Sequence, residues 1–253
     1  MFHGVSSKKR IKITEESQPH LDKKDLEKIL RWLENHFEFL TPNELINTNK
    51  SGVLLTFDDG YANNYHNVLP LLEKFNCPAI YFVSTQHIID PRDWLSFTKK
   101  MTRDNWKDYK KIPEEVKSDL YDGMSEKLLK DISVHPLITV GNHSKSHPLL
   151  SACSYDEIIK EVKDSKDYLE QLISERIEYF AYPTGDYNRQ VLKIIKNIGY
   201  QAAFGIDDTN NIGSPKFEIP RIGIYSSRAS YLSAKMSGLY RKPLKKPFVI
   251  DRY

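Results

Sequence analysis

The chain has 253 residues, of which 40% are hydrophobic and 28% charged, and its formal net charge is +3. This length fits one α/β barrel or two small domains with a real core. The scattered lysines argue against a nucleic-acid partner, and no run approaches the ~18 apolar residues of a membrane span. Because the first residues show no signal peptide, the chain as written is predicted to be cytoplasmic, with a trimmed exported protein as the alternative.

Hydrophobic periodicity and turn residues predict strands that alternate with helices. The predicted strands are 2–5, 37–40, 52–57, 78–84, a run from Leu137, 178–182, 200–205 and 219–225. One helix is predicted from about Leu21, with Asp22 as its cap, and another begins at Asn43. Further predicted helices cover 63–75, 114–131, 154–173 and 188–197. Residues 6–20 and 206–216 are predicted loops. The alternation indicates a parallel sheet with about seven core strands.

Two neighbouring carboxylates stand at the end of one predicted strand. The apolar and β-branched run Val53–Phe57 stops at Asp58 and Asp59, which Gly60 follows. Adjacent carboxylates repel each other, so a positive group must lie close by if both are ionised. Taken alone, the motif favours a solvated Asp-Gly turn, and the second motif described next reverses that preference.

Two histidines follow a second β-branched run, at the end of the strand that begins at Leu137. The four-residue spacing of His143 and His147 predicts that both imidazoles lie on one side of a helical turn, which suits a divalent metal ion. Together with a carboxylate from Asp58 or Asp59, they make a three-ligand site with an open position. Such a site is typical of catalytic rather than structural metal centres.

Thr56–Gly60 (TFDDG) and His143–His147 (HSKSH) together resemble the first two motifs of the polysaccharide deacetylases, also known as the NodB-homology domain or carbohydrate esterase family 4. Tyr179–Gly185 (YFAYPTG) resembles the third motif of that family. The resemblance runs from Phe2 to Tyr225, which is nearly the whole chain.

This resemblance implies an α/β fold, a distorted (β/α)7 barrel whose chemistry lies at the carboxyl ends of the strands. Residues 1–253 would then form a single domain, with a helical insertion at about 90–134. The insertion either shapes a binding site or simply covers the barrel with helices.

The resemblance also implies roles for the residues of the first two motifs. Asp59, His143 and His147 would hold one divalent metal ion, with zinc as the first choice and cobalt, nickel or iron(II) as alternatives. Asp58 would be the general base that takes a proton from a metal-bound water. Ser144 either supports the ligand loop by hydrogen bonds or is a simple turn hydroxyl.

The third motif departs from the family pattern at two positions. Ala181 replaces an arginine that normally pairs with the base, and Thr184 aligns with a tyrosine whose backbone N–H binds the oxyanion. A backbone donor does not depend on the side chain, so Thr184 can keep that role. Arg221 is the best substitute partner for Asp58, and a surface salt bridge is the alternative interpretation.

The fourth and fifth motifs are not recognisable, and no histidine follows His147. The amine that leaves must nevertheless be protonated, and an imidazole suits that task. His3 is the candidate general acid, as in family members that act on poly-N-acetylglucosamine, whereas the alternative is a strand-end histidine without a role. His66 and His87 remain open as other candidates.

The predicted function is that of a metal-dependent hydrolase that removes N-acetyl groups from an amino-sugar-containing glycan or glycan precursor. The alternatives are a hydrolase of a non-sugar amide bond and a non-catalytic carbohydrate-binding relative. The intact acids and histidines argue against the non-catalytic alternative. An N-acetylated sugar or glycan is the predicted partner, and the sequence leaves the particular sugar, the metal and the oligomeric state open.

Overall fold

The computed structural model describes residues 1–7, 20–92, 113–206 and 215–237. The predicted loops 6–20 and 206–216 and the predicted insertion at 90–134 therefore lie partly outside the described residues.

A parallel sheet of five strands in sequence order forms the centre of the described part of the chain. Its strands are β3 (Leu55–Phe57), β4 (Ala79–Val83), β5 (Ile138–Asn142), β6 (Tyr179–Ala181) and β7 (Ala202–Phe204), while β1 (Val5–Ser6) and β2 (Leu21–Asp22) form a separate parallel pair. Single bridges extend the large sheet at both edges, from Phe2 to Phe57 and from Phe204 to Ile219. Because the strands are parallel, their carboxyl ends share one edge of the sheet.

Helices follow the strands, as the predicted alternation requires. They are α1 (Lys23–Glu34), α2 (Pro42–Asn47), α3 (Leu69–Lys74), α4 (Thr85–Ile89), α5 (Glu114–Tyr121), α6 (Glu126–Ser133), α7 (Tyr155–Ile159), α8 (Ser165–Ile173), α9 (Arg189–Ile198) and α10 (Ala229–Met236). The described residues include two π-helical turns, at Asn64–Val68 before α3 and at Lys160–Asp164 between α7 and α8. Among the described helices, none combines the length and the apolar character that crossing a bilayer requires.

Local signals position the helix ends much as predicted. The side chain of Asp22 accepts a hydrogen bond from the N–H of Asp25 and caps α1. Ser154 and Glu157 form the predicted capping box before α7. Gly199 ends α9 with φ at 91°, a left-handed conformation that glycine adopts at little cost.

The strand residues alternate between two apolar clusters. Ile80, Phe82 and Phe204 belong to a smaller cluster on one face of the sheet. Phe57 and Tyr81 belong to the larger cluster, which includes buried residues of α1, α6 and α9. Both faces of the sheet are therefore buried, as is usual for parallel sheets.

Two predicted strands are reduced to single bridges, and in the described residues the large sheet has five strands with one bridge at each edge. In 37–40 only Phe39 pairs, with Val53, because the cap of α2 follows at once. In 219–225 only Ile219 pairs, with Phe204. Pro220 has no N–H to continue a ladder beyond that bridge.

The predicted helix 114–131 is interrupted, because α5 ends at Tyr121 and α6 begins at Glu126. Between them Gly123 forms an antiparallel bridge with Tyr61 and lies tightly against His87, whose carbonyl oxygen would be 1.9 Å from a Cβ at this position. A continuous helix through Gly123 could not come so close to His87. The bridge to Tyr61 links the segment between α5 and α6 to the loop after β3.

Candidate metal centre and catalytic site

Asp59, His143 and His147 bring their ligand atoms together at the carboxyl ends of the strands. One ligand atom from each lies within 4.8 Å of the other two. The Nε2 atoms of His143 and His147 are each 3.6 Å from Oδ1 of Asp59. Asp59 follows β3 and His143 follows β5, and both side chains are buried. The three residues predicted as metal ligands are thus neighbours in space.

The loop of residues 143–147, called here the histidine loop, is not the predicted helical turn. Strand β5 continues to Asn142, and the loop after it contains two left-handed residues, Ser144 with φ at 66° and His147 with φ at 60°. The N–H of His147 donates to Oγ of Ser144 over 3.0 Å. Ser144 therefore supports the loop by a hydrogen bond. The left-handed conformation of Ser144 and His147, rather than helical periodicity, brings the two imidazoles together.

The hydrogen bond of His143 determines which of its nitrogens faces Asp59. Nδ1 of His143 lies 2.8 Å from the carbonyl oxygen of Ala181. Since a carbonyl oxygen only accepts hydrogen bonds, Nδ1 carries the proton and Nε2 presents its lone pair. Ala181, which lacks the side chain of the family's arginine, thus contributes through its backbone.

The protonation of the two histidines fits a metal site. Burial lowers the pKa of His143 to about 3, against an opposing effect of Asp58. Burial also lowers the pKa of His147 to about 4. Both imidazoles are therefore neutral at pH 7, the form that binds metal ions. Two such nitrogens and one carboxylate are a suitable donor set for a divalent ion such as zinc.

Asp58 is held by a buried ion pair with Arg221. The Nη1 and Nη2 atoms of Arg221 donate to the two carboxylate oxygens of Asp58 over 2.6 and 2.8 Å. Arg221 also donates from Nε to the carbonyl oxygen of Gly205, and its guanidinium lies 5.3 Å from the centre of the Phe82 ring. Because Arg221 is only 5% exposed, the interpretation as a surface salt bridge is wrong.

The charges around Asp58 keep it ionised. Burial raises the pKa of this carboxyl group, but the charge and the hydrogen bonds of Arg221 hold the pKa below its ordinary value. The positive group that the two adjacent carboxylates require is therefore present. Oδ2 of Asp58 lies 3.9 Å from Nε2 of His143, so the carboxylate of Asp58 borders the candidate metal site.

His3 lies on the segment that runs beside β3. The N–H of Asp58 donates to the carbonyl oxygen of Phe2, the residue before His3, over 3.0 Å. His3 is partly buried, and its Nδ1 atom is buried without a hydrogen-bond partner among the described residues. Of the other two candidate acids, His66 is exposed and His87 is fully buried. The role of His3 as the general acid stays a prediction.

Thr184 lies in the turn after β6, on the same sheet edge as the histidine loop. Its φ of 55° is left-handed, and its hydroxyl donates to the carbonyl oxygen of Pro183 over 2.7 Å. Thr184 is exposed, so a substrate can reach this turn. The oxyanion role of Thr184 also stays a prediction.

Sequence reasoning gives no role to His20 or Glu161 and leaves His87 only as an open candidate acid. His20 is buried beside Gly4, and Nδ1 of His87 lies 3.2 Å from the carbonyl oxygen of Asp59. Glu161 accepts hydrogen bonds from the histidine loop. No local pattern indicates these contacts, because each joins segments that are far apart in the sequence.

Comparison with known proteins identifies the family. The sequence profile named Polysaccharide deacetylase matches residues 46–203, and the chain belongs to this family. The Staphylococcus aureus poly-β-1,6-N-acetyl-D-glucosamine N-deacetylase is 27% identical over 252 residues, which cover 95% of this chain and 78% of the relative. The YxkH protein of Bacillus subtilis is 25% identical over 209 residues, or 79% of this chain, and the match spans only 61% of that relative.

Solved structures share the fold. The IcaB structure from Ammonifex degensii aligns with a TM-score of 0.68 and 17% identity, covering 94% of this chain and 95% of that one. The Streptococcus pyogenes deacetylase PplD, in complex with acetate, aligns with a TM-score of 0.66 and 21% identity, covering 88% and 90%.

These findings confirm the predicted family, the NodB type of distorted barrel and the class of enzyme, a hydrolase of carbon–nitrogen bonds. The family is metal-dependent, and the described residues contain a candidate site for the ion. The identity of the metal, the roles of single residues, the single domain and the insertion at 90–134 stay predictions.

Proposed function

We propose that this chain uses a divalent metal ion, zinc in the first place, to remove N-acetyl groups from an amino-sugar glycan or glycan precursor. The observation that carries the proposal is the convergence of Asp59, His143 and His147 beside the ionised carboxylate of Asp58. A site that only bound carbohydrate would have no need of a buried carboxylate held next to a metal-binding triad.

Poly-β-1,6-N-acetylglucosamine is the first substrate to consider. The Staphylococcus aureus relative whose name states this substrate matches 95% of the chain. The chain of IcaB, a solved structure of the same fold, is covered along 95% of its length. The name of the Staphylococcus aureus relative supports an N-acetylated hexosamine as the substrate, in a polymer or in its precursor, whereas the likeness to IcaB supports the fold alone.

The chemistry follows from groups at the sheet edge. A zinc ion held there would lower the pKa of a water molecule toward about 7 and polarise the acyl carbonyl. Asp58 accepts the proton of the water that attacks this carbonyl, while Arg221 keeps both carboxylate oxygens in place. The N–H of Thr184 donates to the developing oxyanion. His3 donates a proton to the sugar nitrogen as its bond to the acyl carbon breaks, which yields acetate and a free amine.

Acetate release and metal content test this proposal together. The substrates are β-1,6-linked N-acetylglucosamine oligomers, chitooligosaccharides and a simple N-alkyl acetamide, each with and without added Zn²⁺. We expect zinc-dependent acetate release from a sugar substrate and one metal ion per chain by elemental analysis. His147→Ala should lose most of the metal and the activity.

The alternatives give different results in the same assay. Release from the acetamide but from neither sugar would indicate an amide hydrolase of another kind. The absence of release from all three substrates, with metal bound, would contradict the proposed reaction. Equal metal content in the wild type and His147→Ala would contradict the assignment of the ligands.

A further inference from the structure

The carboxylate of Glu161 holds the loop between the two candidate histidine ligands. Its Oε2 atom accepts the N–H groups of Lys145 and Ser146 over 3.1 and 2.8 Å, and its Oε1 atom accepts the hydroxyl of Ser146 over 2.7 Å. Hydrogen bonds to an ionised carboxylate are roughly twice as strong as neutral ones. One side chain thus fixes three donors within the stretch that separates His143 from His147.

Glu161 reaches the loop from an irregular turn of helix. It lies in the π-helical turn Lys160–Asp164, which joins α7 to α8. Its own carbonyl oxygen accepts the hydroxyl of Ser165 over 2.6 Å. Single π-helical turns inside α-helices are rare and frequently accompany functional sites. The π-helical turn around Glu161 therefore fits a functional role for this carboxylate.

The histidine loop needs support from outside, because its backbone is strained. Ser144 and His147 both have φ in the left-handed region, which is unfavourable for residues other than glycine. On the opposite side, the first N–H groups of α4 donate to the loop: Thr85 to the carbonyl oxygen of Ser144, and Gln86 to that of Lys145. The loop is thus held between α4 and Glu161.

We propose that Glu161 is a positioning residue of the metal centre, which holds His147 in register with His143 and Asp59. The proposal rests on the proposed metal site. Glu161 acts through the backbone of Ser146, next to His147. Its removal should therefore loosen the ligand geometry while all three ligands remain present.

Glu157, one turn earlier, provides a matched control. It is also a carboxylate that accepts the N–H and the hydroxyl of a serine, in this case Ser154, over 2.7 Å each. Those bonds cap α7 and do not involve the histidine loop. Glu161→Ala and Glu157→Ala are compared for Zn²⁺ affinity, by competition with a chromophoric chelator, and for melting temperature in EDTA.

We expect Glu161→Ala to weaken Zn²⁺ binding by about 10- to 100-fold, as substitutions of residues that support metal ligands commonly do. Glu157→Ala should bind Zn²⁺ within about twofold of the wild type, although it loses a helix cap. If both variants lower the melting temperature in EDTA and neither changes the Zn²⁺ affinity, Glu161 is merely structural and the proposal is wrong.

Glu161→Gln separates hydrogen bonding from charge. Its amide oxygen can accept the two N–H groups, and its amide nitrogen can donate to the rotatable hydroxyl of Ser146. We expect it to recover most of the Zn²⁺ affinity that Glu161→Ala loses. An affinity as weak as that of Glu161→Ala would show that charge, not positioning, is responsible.

The design also distinguishes the two proposals. A wild-type protein that binds no Zn²⁺ would overturn the proposed function itself. If the wild type binds Zn²⁺ and Glu161→Ala binds it equally tightly, only the positioning role of Glu161 is overturned. If Glu161→Ala does not fold, Glu161→Gln is compared with Ser146→Ala, which removes one of the three bonds and should bind Zn²⁺ a few-fold more weakly. Wild-type affinity in Ser146→Ala would then contradict the proposal.

Discussion

Arg221 and Asp58, which are 163 residues apart in the sequence, form a two-bond ion pair that is almost completely buried. The arginine normally found in the family's third motif is absent, since Ala181 occupies that position. Arg221 reaches the same carboxylate from the segment that follows the bridge between Phe204 and Ile219. The candidate base thus has a rigid cationic partner that comes from another part of the chain.

Replacement of Asp58 by asparagine should separate catalysis from metal binding. Asp58→Asn keeps the size of the side chain but cannot accept a proton from water. We expect unchanged zinc content and a fall in kcat of about 10²- to 10⁴-fold. Elemental analysis and acetate release at saturating zinc provide the measurement, with Asp186→Asn, which alters a carboxylate bonded to Ser151, as control. Turnover close to that of the wild type would show that the base is elsewhere.

Removal of Arg221 should leave a buried carboxylate without its partner. We expect Arg221→Met to lower the free energy of unfolding by about 3–5 kcal/mol, because an uncompensated charge remains inside the protein. In an Asp58→Asn background the same substitution should cost about 1–3 kcal/mol less. Urea denaturation in EDTA measures all four proteins of this double-mutant cycle. Strictly additive costs would mean that the two side chains are not coupled.

His3 should matter more for an amide than for an ester. An amine leaves only after protonation of its nitrogen, whereas an alkoxide depends less on an acid. We expect His3→Ala to fold and bind zinc but to hydrolyse the N-acetyl substrate slowly, with a smaller deficit for an acetyl ester. The ratio of ester to amide turnover is compared with that of His66→Ala, whose histidine is exposed. An unchanged ratio in His3→Ala would leave the general acid unidentified.

The buried side chain of His20 should make the fold sensitive to mild acid. Burial, with a smaller contribution from the charge of His3, lowers the pKa of His20 from 6.5 to about 4, while Asp119 opposes the shift. Between these values the unfolded chain binds a proton that the native protein does not, so stability falls as the pH decreases from 6.5 toward 4. From pH 7 to pH 5 this contribution amounts to about 2 kcal/mol.

His20→Phe tests this linkage, since it keeps an aromatic ring beside Tyr61 and Tyr121. The variant should lose less unfolding free energy than the wild type between pH 7 and pH 5. Urea denaturation in EDTA at both pH values measures the difference without a contribution from metal release. Equal pH dependence in the two proteins would contradict the prediction.

Helix ends were predicted well because their signals are local. The cap at Asp22, the box formed by Ser154 and Glu157, and the left-handed Gly199 each act within one turn of their helix. The prediction of a helix boundary failed where a contact with a distant segment determines it. Gly123 interrupts the predicted helix 114–131 because it must approach His87, which no pattern around Gly123 indicates.

Residue type and position predict a metal site at these strand ends, and the resemblance to the family's motifs implies which residues are the ligands and which is the base. Asp58, Asp59, His143 and His147 each follow a β-branched run, and parallel strands must end at a common edge. Only the tertiary structure decided what supports them. The pairing of Arg221 with Asp58 and the hold of Glu161 on the histidine loop depend on how the strands and helices pack. Contacts between segments far apart in the chain arise from the packing of the whole barrel, and no local periodicity encodes them.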